Sequence, residues 1–195
     1  SSAASDVYKR QLIIINVLVF LLQPSLGSKG IYLALWPLQQ GSPFYPWQLV
    51  SYGFLHSGIT HLLVNMLALY MFGGDLERLW GPRRYLQLYF ASIVSAGLVQ
   101  MLFQSASGHA VPTVCASGAV FGVLLGFAMY FPKRIIVPLI PPIPMPAPVF
   151  VGLYGALELY LGVTGTQQGV AHFAHLGGML GAWLLIQYWR GRPPF

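Results

Sequence analysis

The chain is a succession of long apolar runs with almost nothing charged inside them. Residues 12–22, for instance, hold one polar side chain, Asn16. Charged residues make up 7% of the 195 and hydrophobic residues 56%, where a soluble domain carries about 25% charged residues. Such a chain lacks the polar surface to stay in water, so lipid must be its outer solvent. Backbone groups in lipid need internal hydrogen bonds, which favours helices. An all-α membrane protein forming one compact domain is therefore expected.

A bilayer core of about 30 Å takes roughly 20 residues of helix. Six spans are predicted, at about 8–22, 59–77, 84–104, 115–131, 147–164 and 170–189. Several are short, which suits an interior recessed from the membrane surface or a locally thinned bilayer. Lys9 and Arg10 before the apolar run 12–22 imitate a signal peptide. Residues 23–27 lack a small-x-small cleavage site, however, so the first span is expected to be retained. Residues 1–7 read as a polar tail, 8–190 as the membrane domain and 191–195 as a short cytoplasmic tail.

The net charge of +6 could suggest nucleic acid, but the basic residues form no stripe or patch. They sit in small groups between apolar runs, which is a topology signal. With six spans, Lys9, Arg10, Arg78, Arg83, Arg84, Lys133, Arg134, Arg190 and Arg192 share one side, and only Lys29 lies opposite. That places both termini in the cytoplasm. Residues 23–46, with Tyr32, Trp36 and Tyr45, suit a segment at the outer interface, and Trp47 follows directly. The proline-rich residues 132–148 read as a stiff extended spacer. The one cysteine, Cys115, excludes an internal disulfide.

Polar side chains within the spans each need a reason. His61 and Asn65 are four apart and share a helix face. Span four opens with Cys115-Ala116-Ser117-Gly118, and span six contains His172 and His175. Spans two, four and six run the same way, so His61, Ser117 and His175 fall at one depth, near the outer face. A serine hydroxyl, a histidine base and two hydrogen-bond donors could converge there. Gly118, Gly122 and Gly126 repeat at four-residue spacing, as do Ala174, Gly178 and Ala182. Small residues so spaced let helices approach closely in lipid, which would bring Ser117 to His175.

The string Gly58-Ile59-Thr60-His61-Leu62-Leu63-Val64-Asn65 resembles the His-x-x-x-Asn motif of the rhomboid intramembrane proteases. Ala116-Ser117-Gly118 resembles the end of their Gly-x-Ser-Gly motif, and Ala174-His175-Leu176-Gly177-Gly178 their last-helix histidine motif. The resemblance implies a six-transmembrane-helix rhomboid-like bundle. It implies Ser117 as nucleophile and His175 as general base in a dyad without an acidic third member. His61, Asn65 and the Ser117 amide would hold the oxyanion, with Phe121 stacked on the base and Gly118 and Gly178 supporting. Transmembrane protein substrates cut near the outer face are implied, with lipid as the other partner and no metal, cofactor or nucleic acid. Two positions depart from the family pattern. Cys115 replaces the first glycine of the serine motif, where a positive φ would strain it. Gln48 stands where some relatives carry arginine after tryptophan.

Other readings compete. Ser117 could be an ordinary helix N-cap, and His61 and Asn65 could bridge helices. His172 and His175 could form a metal pair, though no third ligand is obvious. His172, nearer the helix start, is expected to be a wetter neighbour, and Cys115 a buried inert thiol. Glu158 reads as a helix-bridging or protonated carboxyl, and His56 and His109 as outer-loop or interface residues. At the level of the whole chain, the alternatives are a noncatalytic relative that binds membrane clients and, behind it, a transporter. A prokaryotic inner membrane is expected, though an organelle membrane would look similar.

Overall fold

The computed structural model describes residues 6–108, 111–139, 141–165 and 171–191; His109 and Arg192 lie outside them. Helix α1 covers Val7–Leu22 and tightens into a 3-10 segment over Gln23–Tyr32, beyond the expected end of the first span. The short α2 (Gln48–Ser51) precedes the long α3 (Ile59–Ser107). Then come α4 (Ser117–Tyr130), α5 (Ala147–Thr164) and α6 (His172–Trp189).

Spans two and three appear as the two arms of α3, without the expected inner loop. The break is a single residue, Gly81, at φ 77° and ψ 170°. Glycine accepts that φ without a Cβ clash, and the following Pro82 pushes it to an extended ψ. Both arms return to the same end of the molecule, since His61 and Gln104 line one cavity. Among the described residues, three helical stretches are long and apolar enough to cross a membrane: Val7–Tyr32, Ile59–Ser107 and Ala147–Thr164. Ser117–Tyr130 is apolar but shorter. The outward faces carry large apolar side chains such as Leu63, Leu102, Leu153 and Tyr160. The protein is thus a helical integral membrane protein.

Helix α4 is the centre. Nearly all of it is buried, as expected of a helix apolar all round. It packs against α3 and α6. A Cβ added to Gly118 would overlap that of Ala96, one on Gly122 would strike Ser92, and one on Gly178 would fall on the Gly118 carbonyl. The predicted glycine stripe therefore holds for Gly118 and Gly122. Gly118 and Gly122 each sit between α3 and α6, whereas the nearest neighbours of Gly126, Leu76, Trp80 and Leu88, are all on α3. A four-residue step advances about 40° past a full turn, so two steps carry the stripe off α6.

The proline-rich segment also differs from a plain spacer. Ile135–Ile136 (β1) pairs antiparallel with Met145–Pro146 (β2), and α5 begins at Ala147, whose N–H donates to the Arg134 carbonyl at 2.9 Å. At this end the charges interlock. Glu77 accepts from the Tyr8 and Lys9 amides at 3.0 and 2.8 Å, satisfying orphan donors at the start of α1 with a carboxylate. Asp6 pairs with Lys9 at 2.9 Å, and the hydrogen bond from Lys9 holds its carboxyl below the usual carboxylate range. Asp75 contacts Arg78 and, at 3.7 Å, Arg134.

Candidate active site

Ser117 is the first residue of α4, but Ala116 occupies the cap position and no side chain caps the helix. The Ser117 hydroxyl turns instead to α6, where its Oγ lies 2.5 Å from His175 Nε2. Both side chains are buried. Phe121, one turn along α4, stacks on the His175 ring with centroids 4.3 Å apart and planes within 9°. A cavity of about 830 Å³ reaches this pair, lined among others by His61, Gln100, Gln104, Cys115 and His172.

His61 points into the cavity from the start of α3. Its Nδ1 lies 3.0 Å from Ser57 Oγ and takes a long 3.5 Å contact from the Ser57 amide. An accepting Nδ1 leaves Nε2 as the proton-bearing nitrogen, and Nε2 lies 3.7 Å from Cys115 Sγ. Asn65, one turn further, is buried with its Nδ2 unpaired among the described residues. One donor on this side of α3, the Asn65 amide, is thus unpaired among the described residues, and His61 Nε2 is met only by the Cys115 sulfur.

Cys115 is neither strained nor remote. No described non-glycine residue has a positive φ, so the expected backbone strain is absent. Its amide donates to the Tyr52 carbonyl at 3.1 Å, and its thiol touches the Ser117 hydroxyl. The sulfur also lies 3.9 Å from His175 Nε2. The thiol is buried, as expected, and it packs directly beside the serine–histidine pair.

Further expectations change. His172 is buried, not wet: its Nδ1 bonds Glu158 Oε2 at 2.6 Å. The same oxygen lies 2.8 Å from His175 Nδ1. Glu158 is therefore the bridging carboxyl anticipated for span five, and an acidic group stands beside His175 where none was expected. His56 is 1% exposed and edges against His61 at 5.3 Å, because Gln23 clamps its backbone through both amide atoms. Gln48 is fully buried and ties the outer segment together, its Nε2 donating to the Pro43 carbonyl at 2.9 Å and its Oε1 accepting from Trp36 N–H.

Gln100 and Gln104 were missed by sequence reasoning. They are four apart on the second arm of α3, the same intramembrane polar signal that singled out His61 and Asn65.

A buried serine–histidine pair thus faces a cavity within a helical membrane bundle, with the unpaired Asn65 amide on a neighbouring helix. The Rhomboid domain model matches residues 43–191, and the chain belongs to the rhomboid family. It is 35% identical over 147 residues to RHOMBOID-like protein 4 of Arabidopsis thaliana, covering 71% of this chain and 33% of that protein. It is 31% identical over 153 residues to presenilin-associated rhomboid-like protein A, mitochondrial, of Danio rerio, covering 75% and 39%. Rhomboid protease AarA of Providencia stuartii is 31% identical over 154 residues, covering 69% and 53%. The chain spans between a third and about half of the length of these relatives.

Proposed function

We propose that this chain is an intramembrane serine endopeptidase acting on transmembrane segments of other proteins. The observation that carries the reading is the 2.5 Å contact between Ser117 Oγ and His175 Nε2 in a buried, cavity-facing position. Ser117 Oγ attacks the scissile carbonyl carbon as its proton passes to His175 Nε2. The carbonyl electron pair becomes an oxyanion, held by His61 Nε2–H, Asn65 Nδ2 and the Ser117 amide. Such donors, fixed in a dry site, lower the barrier by several kcal/mol. His175 then gives its proton to the leaving amine as the C–N bond breaks, and water releases the acyl group by the reverse sequence. Phe121 holds the imidazole flat, and Gly118 and Gly178 let the two helices close on each other.

In this reading six spans cross the bilayer within a domain of residues 8–190, with both termini cytoplasmic. The cluster of Lys9, Arg78 and Arg134 supports that orientation. The cut lies near the outer face, in a prokaryotic inner membrane or one of the organelle membranes in the relatives' names. A substrate helix must unwind to present its amide, so helix-breaking residues near the bond favour cleavage.

The test is cleavage of a labelled single-span substrate in detergent, beside Ser117→Ala and His175→Ala. Each variant should lose more than about 10³-fold in kcat. No cleavage by the parent or by Cys115→Gly, across several substrates, would leave a client-binding protein instead.

A further inference from the structure

Glu158 is one of only three buried residues of α5, with Ala147 and Val151. It is the one buried ionisable group of that helix, and it faces α6. Its Oε2 meets two histidines at once, His172 Nδ1 at 2.6 Å and His175 Nδ1 at 2.8 Å. The first contact is a hydrogen bond; the second is a close contact in which the resting His175 Nδ1 makes no hydrogen bond. Gly155 and Gly162 lie a turn to either side, where a Cβ would meet Met179 and His172. Two glycines thus seat α5 tightly enough for the carboxylate to reach α6.

We propose that Glu158 is a positioning residue for His175, the third member of a Ser117–His175–Glu158 array shared with His172. This rests on the protease reading above. A carboxylate at Nδ1 selects the tautomer that carries its proton there and leaves Nε2 free to accept from Ser117. When Ser117 attacks, its proton moves to Nε2 and His175 becomes an imidazolium. The new positive charge draws Nδ1–H onto Oε2, turning a close contact of the resting site into a hydrogen bond. Bonds of this kind tighten only along the reaction. Glu158 takes no proton itself, and the one on Nε2 leaves with the amine. His172 holds the carboxylate in place from its other flank, while Cys115, Ser117 and Phe121 surround the rest of the His175 ring.

The same three residues could suggest a metal site. Two ligands on one tetrahedral zinc lie about 3.4 Å apart, given bonds of about 2.1 Å. Separations of 2.6 and 2.8 Å are shorter than that and match hydrogen-bond distances.

The experiment compares the parent with Glu158→Gln and Glu158→Asp, using substrate cleavage and labelling of Ser117 by a fluorophosphonate. Glu158→Gln should lower kcat roughly 10²-fold or more, by analogy with loss of the anion in other serine triads, with KM within about threefold. The acidic limb of its pH–rate profile should move toward lower pH, because a base without its anion protonates less readily. Glu158→Asp should recover part of kcat. A purely structural Glu158 would lower the melting temperature and leave the kcat of the folded fraction and its pH profile at parental values; that result overturns the proposal while the protease reading stands. Should Glu158→Gln fail to fold, Glu158→Asp decides by the same kcat and KM comparison. Activation of the parent by EDTA, with zinc binding lost in Glu158→Gln, would also overturn it in favour of an inhibitory metal. A parent that neither cleaves nor labels removes the protease reading itself, and with it the array.

Discussion

Cys115 and His56 show how much one side chain can add to a site without being one of the motif's expected residues. The Cys115 thiol touches the Ser117 hydroxyl, on which the proposed attack depends. Cys115→Gly should therefore raise kcat/KM about three- to tenfold, a barrier change of up to about 1.4 kcal/mol. Steady-state cleavage checks this, and an unchanged or lower value would show that the thiol does not crowd the serine. His56 is held neutral: burial, and then the neighbouring His61, lower its pKa to about 4. The unfolded chain, with a histidine near 6.5, binds the proton first. Stability is thus greatest above pH 6.5 and falls as the pH drops from 6.5 toward 4. Thermal unfolding at pH 7 and pH 5 should show the parent losing more than His56→Gln, which cannot take the proton.

The elements are arranged by where small residues let backbones meet. Gly178 lies against the Gly118 backbone and has no space for a Cβ. Gly178→Ala should destabilise the protein by about 1–3 kcal/mol through overpacking and cut cleavage as α4 and α6 separate. Gly152, on the open face of α5, has nothing within 4 Å. There alanine should be neutral or stabilising by up to about 1 kcal/mol, from helix propensity alone. Melting curves of the two variants separate a packing glycine from an incidental one. The repeats at four-residue spacing were visible in the sequence, and Gly118, Gly122 and Gly178 serve as expected. That Gly126 has only α3 atoms nearest it was not visible, because it depends on which neighbour crosses α4 at that level.

Across the whole molecule, charge gathers at one end and the serine–histidine pair lies at the start of α4, with nearly its full length of about 20 Å between them. Glu77 joins α1 to α3 by capping its first amides. Glu77→Ala should lower stability by about 2 kcal/mol and free the first helix to protease in detergent, with the Ser117–His175 pair still labelled at parental rate. The sequence by itself determined the solvent, the helices and the motif residues, because hydropathy and residue spacing along a helix are local properties of the chain. Only the tertiary structure decided that Gly81 alone joins the arms of α3, that Cys115 packs against Ser117, and that Glu158 stands beside His175. Each depends on contacts between residues distant in sequence, or on a direction change that no periodicity records. In the case of Glu158 the partner is only 17 positions away by residue number, yet on another helix, and its carboxylate reaches the imidazole only once α5 has seated against α6.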